Sequence, residues 1–390
     1  MMKFITDSVS RGARLGILSE LEKFPDAIFE TPLLTLYSMR GSVPHLTKDV
    51  FKMLTKEQQM LSVTLPSTIT MLDAVQQSQS FTEFVSMQEY PTILTIQDPT
   101  QKTPHGYQKY VTTAVWSKHG QHQITPETYM NLVEAFKPDI YVALCDGDSN
   151  EETPEKKVTK VVERSKRQFD QCFQIHQSSD ILKNTCLLGA VEGGYDLSAR
   201  EQSARFLMEK NLEGYVIDGL HVNGPEVQNL QFGKIKDVVH HTLDMLPVDK
   251  LKVSMGCWNP NVILELIDSG VDIFDSSYPY VMTETAKAIT FMCDSHEHDS
   301  NYHPELVISI SDKRYADDFS PICDKCQCLT CKNHTRAYLN HLYNTKELLF
   351  SVLLMMHNTH TYLEFFKTIR EHIRKGTFSQ FKKQFIDKFS

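Results

Sequence analysis

The chain has 390 residues, 41% of them hydrophobic, enough apolar material for one large domain or two ordinary ones. Lysine and arginine number 40 against 49 acidic residues, and the net charge of −9 excludes a global basic field that alone would drive tight nucleic-acid binding. Any RNA contact must come from a local patch or a partner. Because no apolar run approaches the roughly 20 residues of a membrane span and the first residues lack a signal-peptide core, we expect a cytosolic protein.

Eight short apolar segments predict β-strands, and several are apolar on both faces, as a parallel sheet covered by helices requires. The segments are LLTLY (33–37), SVTLP (62–66), TILTI (92–96), IYVALC (140–145), CLLGAV (186–191), YVIDGL (215–220), KVSMG (252–256) and DIFDS (272–276). Most gaps between them leave room for a crossover helix. The pattern therefore predicts an α/β fold, a (β/α)8 TIM barrel, with residues 1–290 as the barrel core.

Two segments between these strands carry helix signals. TPETYMNLVEAFKP opens with Thr125 and Pro126 at a helix start, with Met130, Leu132 and Phe136 along one face. The segment NPNVILELIDSG ends on a glycine, as helices often do. Both segments are predicted to be crossover helices.

The charged run EETPEKKVTKVVERSKR (151–167) has its acidic residues first and its basic residues after them, with valines at helical spacing. This sign order suits the helix dipole and predicts a helix with a solvated face. A basic face that contacts RNA, built from Lys156, Lys160, Arg164 and Arg167, is the less favoured interpretation.

Four cysteines fall within the segment CDKCQCLTCKNH (323–334) of a chain that has nine. The other five are scattered singly, at positions 145, 172, 186, 257 and 293. An odd total with this spread does not suggest an extracellular disulfide framework. The cluster therefore indicates a metal site, and buried thiols without metal are the weaker alternative.

Cys326, Cys328 and Cys331 form a C-x-C-x-x-C pattern whose thiolates come close enough to share one tetrahedral Zn²⁺. A fourth ligand is needed to close the shell. Cys323 could supply it, and His357, on a predicted long apolar helix, is the competing residue. Spacing alone leaves both open.

A second group of potential ligands, Cys293, His296 and His298, lies in CDSHEHDS (293–300). A polar stretch without apolar support is more typical of a mobile loop than of a metal site. We therefore expect one structural zinc ion per chain. We assign it to a zinc-binding subdomain of residues 291–390, whose C-terminal helices complete the barrel.

Three landmarks resemble the tRNA-guanine transglycosylase family, and the likeness runs over most of the chain. The first is the cysteine pattern followed by KNHTRAYLNHLY and HN. The second is ARLG (13–16) with TPLLTLYSMRGSVPHLT (31–47) and AVEGGYDLSAREQSA (190–204), and the third is SGVDIFDSSYP (269–279). The variant RGSVPHLT resembles the family's eukaryotic accessory subunits rather than its catalytic chains.

The resemblance implies ligands and an activity. The family's zinc ligands fall on Cys326, Cys328, Cys331 and His357, which makes Cys323 a bystander. The activity is the exchange of guanine for queuine at the wobble position of tRNAs with a GUN anticodon. This chemistry needs a carboxylate that attacks the ribose carbon, a second carboxylate as acid and base, and a pocket for a flipped purine.

The nucleophile's position falls on Asp275, at the end of the eighth predicted strand, the rim where a barrel enzyme keeps such groups. Its supporting residues have changed. The family's Asp-Ser-Gly-Gly-Phe-Gln loop is replaced by QDPTQKTPHGYQ (97–108), where Asp98 is the nearest carboxylate and paired glycines are missing. We therefore interpret Asp275 as a vestige and expect no catalytic residue in this chain.

The purine pocket also departs from the family pattern. The positions that would line it are Cys145, Glu192, Asp218, Gly219 and Met255. Cysteine is too weak an acceptor to hold the N1–H and amino group of guanine. Asp218 brings a side chain to a turn that should offer bare backbone N–H groups.

These departures favour a non-catalytic subunit that pairs with a catalytic homologue as a heterodimer and helps to position tRNA. One alternative is a transglycosylase with an altered pocket that acts through Asp275. Another is a queuine-binding or salvage protein. The resemblance further implies a cytoplasmic location with peripheral association at the mitochondrial outer membrane.

Overall fold

The computed structural model of the chain describes residues 2–10, 12–292 and 305–389. It contains a closed barrel of eight parallel strands, numbered here in chain order. They are β1 (Leu33–Ser38), β2 (Leu61–Thr64), β3 (Thr92–Thr95), β4 (Ile140–Val142), β5 (Cys186–Val191), β6 (Gly214–Ile217), β7 (Leu251–Val253) and β8 (Ile273–Asp275). Neighbours in the barrel are neighbours in sequence, and β8 closes the ring by pairing with β1. The predicted (β/α)8 barrel is confirmed.

The barrel strands are buried on both faces. All residues of β1 and of β5 are buried, including the polar residues of β1. A parallel strand with the barrel interior on one side and helices on the other has no face for water, so its sequence shows no alternation. The structure ends β4 at Val142 and β6 at Ile217, before the predicted ends at 145 and 220, because the chain turns there into the loops of the barrel rim.

The other helices and strands before residue 276 precede these strands in the chain or lie between them in sequence. The helices are Lys48–Lys52, Leu65–Thr68, Leu72–Val75, Phe81–Phe84, Pro126–Phe136, Glu155–Ser178, Leu197–Met208, Phe232–Met245 and Pro260–Asp268. Antiparallel strands Lys3–Ser10, Ala13–Ser19 and Phe29–Thr31 precede β1. A hairpin of Thr113–Ser117 and Gly120–Ile124 lies between β3 and β4.

The helix Pro126–Phe136 shows how local signals set its ends. Its first turn is capped by Thr125, whose hydroxyl accepts a hydrogen bond from the Thr128 backbone N–H at 3.2 Å. It ends at Lys137, which adopts a left-handed conformation with φ of 50°. The helix start predicted from Thr125 and Pro126 is therefore present.

The chain divides into two compact units. The first comprises Met1–Gly41 and Gln58–Asp275 and contains the whole barrel. The second comprises Ser42–Glu57 and Ser276–Ser390. The division falls after Asp275, whereas the boundary expected from the sequence was residue 290.

The second unit is mainly helical. Its elements after residue 275 are helices Ser277–Glu284, Leu329–Asn333, Arg336–Asn344, Leu348–Arg374 and Phe378–Phe389, with an antiparallel strand pair, Lys287–Ile289 and Val307–Ser309. The predicted long helix is Leu348–Arg374, which spans 27 residues. Its buried side chains include a run from Leu353 to Thr359 that faces neighbours on several sides, as expected of a central helix.

A buried ion pair ties the amino-terminal strands to β8. Arg14 Nε donates to Asp272 Oδ1 at 2.8 Å and Nη2 donates to Oδ2 at 2.6 Å. Asp272 Oδ2 also accepts the Lys252 backbone N–H at 2.7 Å. The side chains of Arg14 and Asp272 are 5% and 0% exposed, so neither charge can turn to water if its partner is removed.

We expect Arg14→Ala to lower the free energy of unfolding by about 3–5 kcal/mol, because it leaves the Asp272 carboxylate buried and unpaired. Urea denaturation measures this loss. The control is Arg205→Ala, which breaks an exposed pair with Glu201 and should cost about 0.5 kcal/mol or less. Equal losses for the two variants would contradict the role given to Arg14.

Candidate metal centre and barrel pocket

Four side chains of the second unit converge on one point. The ligand atoms of Cys326, Cys328, Cys331 and His357 all lie within 4.8 Å of one another. His357 Nδ1 lies 3.8 Å from Cys326 Sγ, 3.6 Å from Cys328 Sγ and 3.3 Å from Cys331 Sγ. Cys323 is buried but is not one of the four.

The distances fit a tetrahedral metal. Metal–sulfur and metal–nitrogen bonds of about 2.3 Å and 2.0 Å at a tetrahedral angle place sulfur and nitrogen about 3.5 Å apart. The three observed separations, 3.3, 3.6 and 3.8 Å, bracket this value. The residues present therefore fit a closed four-coordinate site, and His357 is the fourth member of the group.

The orientation of the His357 ring is fixed by its second nitrogen. Nε2 lies 2.8 Å from the carbonyl oxygen of Ile289, which can only accept a hydrogen bond. Nε2 must therefore carry a proton, which leaves Nδ1, the nitrogen that faces the three sulfurs, as the atom that can bind a metal. The ring is fully buried, which holds this tautomer in place.

Two further residues hold the ligands in position, and sequence reasoning did not identify either role. Asn358 Oδ1 accepts the Ile289 N–H at 2.9 Å, and its Nδ2 donates to the Lys287 carbonyl at 2.9 Å. These bonds join the helix Leu348–Arg374 to the strand Lys287–Ile289, whose last carbonyl binds the His357 ring. Thr330 Oγ1 donates to the Leu353 carbonyl at 2.6 Å, which fastens the cysteine loop to the same helix. The only sequence signal was that Asn358 directly follows His357 in the family-like HN pair.

The other suggested ligand group cannot be compared in this way. Cys293, His296 and His298 lie outside the residues that the structure describes.

In the first unit, three predicted pocket residues meet at the carboxyl ends of neighbouring strands. Cys145 lies just beyond β4, Glu192 follows β5 and Asp218 follows β6, and their ligand atoms lie within 4.8 Å of one another. Cys145, Asp218 and Met255 line a cavity of about 50 Å³, room for roughly three to five water molecules.

Glu192 is occupied by its own neighbours. Its carboxylate accepts the Gly147 backbone N–H at 2.8 Å and the Ser149 hydroxyl at 2.9 Å. Burial, followed by repulsion from Asp218 and Asp146, raises the pKa of Glu192 to about 8. Burial also raises the pKa of the Cys145 thiol well above its usual value, so near neutral pH neither group offers the negative charge that would hold guanine.

The turn after β6 is closely packed. Gly219 has φ of +71°, and a Cβ added there would lie 2.8 Å from Ser149 Oγ. Beneath it, the fully buried Arg200 donates from Nη2 to the Asp218 carbonyl at 2.5 Å and from Nε to the Gly194 carbonyl at 2.6 Å. Sequence reasoning missed Arg200, which appeared only as part of the family-like segment YDLSAREQ.

The two candidate catalytic carboxylates are both buried. Asp275 ends β8 and its Oδ2 accepts the Gly256 backbone N–H at 2.8 Å. Asp98 accepts hydrogen bonds from the Tyr37 hydroxyl at 3.0 and 3.1 Å, and from the Thr100 N–H and hydroxyl at 2.9 and 2.7 Å. Burial raises the pKa of Asp98. Because its oxygens already accept these hydrogen bonds, we interpret Asp98 as a residue that stabilises the loop after β3 rather than one that contacts a substrate.

The predicted charged helix is Glu155–Ser178, and one of its four basic candidates is not available to RNA. Arg164 forms an ion pair with the buried Asp146, so its charge holds the loop after β4. Lys156, Lys160 and Arg167 are exposed.

Comparison with known proteins agrees with this fold and site. The profile of the family described as queuine tRNA-ribosyltransferase matches residues 8–390. The chain belongs to that family, the tRNA-guanine transglycosylases whose motifs it resembles.

The relatives carry a more particular name, "Queuine tRNA-ribosyltransferase accessory subunit 2". The Aedes aegypti protein is 38% identical over 383 residues, covering 97% of this chain and 91% of its own. The Culex quinquefasciatus protein is 39% identical over 383 residues, covering 96% and 89%. The Ixodes scapularis protein is 35% identical over 350 residues, covering 88% and 89%.

Proposed function

We propose that this chain is the non-catalytic subunit of a queuine tRNA-ribosyltransferase. It supports the exchange of guanine for queuine at the wobble position of tRNAs with a GUN anticodon. The observation that carries the proposal is the site after β4, β5 and β6, where the Glu192 carboxylate already accepts hydrogen bonds from Gly147 and Ser149 and burial raises the pKa of the Cys145 thiol. The name of the relatives agrees with this role.

A subunit of this kind needs a surface for its catalytic partner, and the second unit exposes apolar side chains that suit one. Tyr343, Leu348 and Leu349 flank the turn between two helices and are 41%, 88% and 41% exposed. Tyr343 is held against Phe350, with ring centroids 5.3 Å apart. A large apolar side chain left in water is stabilised by a partner that covers it, so these residues support a heterodimer with a catalytic homologue.

The metal of the Cys₃His site is, in this proposal, one structural Zn²⁺ per chain. Three thiolates and an imidazole at tetrahedral separation form the ligand set that zinc takes in closed structural sites. Such an ion supplies no reaction step. It cross-links the cysteine loop to the helix Leu348–Arg374 within the zinc-binding subdomain of residues 291–390.

Asp275 is the residue that separates this proposal from a transglycosylase with an altered pocket. Its place at the end of β8 is where that alternative needs a nucleophile. We expect Asp275→Asn to leave the exchange rate of the reconstituted heterodimer within about threefold, because the amide oxygen of Asn can still accept the Gly256 N–H. A radiolabelled-guanine exchange assay measures the rate.

The matched control is the same substitution at the nucleophile of the catalytic partner, which should remove all exchange. If Asp275→Asn abolished exchange while folding and pairing were intact, the non-catalytic assignment would be wrong. Tight binding of free queuine to the isolated chain would instead favour a queuine-binding or salvage role.

We also propose a cytoplasmic location, with peripheral attachment to the mitochondrial outer membrane, on the strength of the family resemblance. Among the described residues, no helix is long and apolar enough to cross a membrane. Attachment would therefore occur through a surface or a partner, and alkaline extraction of isolated mitochondria tests it.

A further inference from the structure

Residues 99–124, which contain the loop after β3 and the hairpin that follows it, have no acidic side chain. The whole chain has 49 acidic residues among 390, so a stretch of this length without one is unusual. The same stretch carries three lysines and three histidines: Lys102, Lys109, Lys118, His105, His119 and His122. It is a local basic patch, which a protein of net charge −9 needs in order to approach a polyanion.

The loop also exposes two tyrosine rings. Tyr107 is 48% exposed and Tyr110 is 60% exposed. Tyr107 packs edge-on against Trp116 with ring centroids 5.2 Å apart, and the Arg167 guanidinium lies 4.5 Å from the centroid of the Tyr110 ring. An exposed aromatic ring beside an arginine is a surface on which an unpaired base can stack.

The two rings are presented by an ordered backbone. Gln123 Nε2 donates to the Tyr107 carbonyl at 3.2 Å, and the Lys109 N–H donates to the Thr112 carbonyl at 3.1 Å. The Gly106 N–H donates to the buried Asp148 at 2.9 Å. Because the loop is already folded, binding would cost little ordering entropy.

The helix Glu155–Ser178 extends the positive charge. Lys156, Lys160, Arg164 and Arg167 follow one another at spacings of four, four and three, which places them along one stripe of the helix. Arg164 is engaged by Asp146, whereas Lys156 and Lys160 are exposed. Since Arg167 lies on Tyr110, this stripe leads to the tyrosine loop.

We propose that this aromatic–basic surface binds an unpaired segment of the RNA substrate. We define the surface by Lys102, Tyr107, Lys109, Tyr110, Lys160 and Arg167. The lysines would contact phosphates and the rings would stack on bases, which are free to stack in loops but not within a duplex. Three of the six residues are exposed lysines, which favours RNA over a protein partner because lysine is depleted in protein–protein interfaces. The inference rests on the proposed function in tRNA modification.

The first test measures the affinity of the reconstituted heterodimer for unmodified tRNA with a GUN anticodon, by fluorescence anisotropy at several salt concentrations. We expect Lys102→Glu with Lys109→Glu to weaken binding at least about tenfold, and to lower the slope of log K against log salt by about 1.4 to 1.8. The matched control is Lys234→Glu with Lys236→Glu, the same charge change at exposed positions of the helix Phe232–Met245. It should stay within about twofold, because lysines outside the surface contact no phosphate.

The second test separates stacking from charge. Tyr110→Ala should weaken binding roughly fivefold or more through the loss of one stacked base, while Tyr110→Phe, which keeps the ring, should bind as the unchanged protein does. Photocrosslinking of tRNA that carries 4-thiouridine in its anticodon loop should label the peptide around Tyr107 and Tyr110.

Three outcomes would overturn the inference: lysine variants that bind within twofold of the unchanged protein, equal losses in the control pair, or loss of the heterodimer on size measurement. The last would make this surface a protein-docking site. Failure of the unchanged heterodimer to exchange guanine would instead contradict the proposed function. Because exchange by the unchanged complex is measured first, the two failures can be told apart.

Discussion

The isolated chain is expected to exchange no base in tRNA, while an equimolar mixture with a catalytic homologue does. The reason is the number of defects in the pocket. Burial raises the pKa of the Cys145 thiol, the Glu192 carboxylate already accepts hydrogen bonds from Gly147 and Ser149, and the loop that holds Asp98 is folded around that carboxylate. If each lost contact costs roughly 10² to 10³ in rate, three together leave no measurable turnover.

Incorporation of radiolabelled guanine into a tRNA with a GUN anticodon measures this exchange. The chain alone, the catalytic homologue alone and the mixture are compared at equal protein concentration. Size measurement of the mixture should show a heterodimer rather than two separate homodimers. Robust turnover by the chain alone would support the transglycosylase alternative and contradict our assignment.

His357→Ala is expected to abolish metal binding and to destabilise the second unit. The buried ring is the only nitrogen ligand of the four-residue group, and its loss opens the shell and leaves three thiols around a vacancy. Since binding free energy at a structural zinc site is also folding free energy, we expect a loss of several kcal/mol. Elemental analysis gives the metal content per chain, and chemical denaturation gives the stability.

Cys323→Ser is the comparison variant for metal content, because Cys323 is a buried, disulfide-bonded cysteine of the same segment that lies outside the ligand group. It should keep one metal per chain. Loss of the metal in Cys323→Ser together with its retention in His357→Ala would show that a Cys₄ set holds it. The same comparison in the mixture tests whether the subunit interface depends on the metal.

The barrel and the metal-site residues were accessible from local sequence. Each strand is a short apolar segment that needs only its own residues to be recognised, and each of the eight predicted segments overlaps a barrel strand. Three of the metal ligands lie within six positions of one another, from Cys326 to Cys331, so spacing alone brings them together. The choice between Cys323 and His357 needed either the family resemblance or the structure.

Tertiary structure decided which charged side chains are free to bind a partner and which are already paired within the protein. Arg164 looked like a free cation on a helix face, but it pairs with Asp146 from a loop 18 residues away. Arg200 looked like an ordinary helical residue, yet it supports the turn at Asp218. Periodicity places a residue on a face of its own element and carries no information about what another element brings to that face, because such contacts form only when distant segments pack.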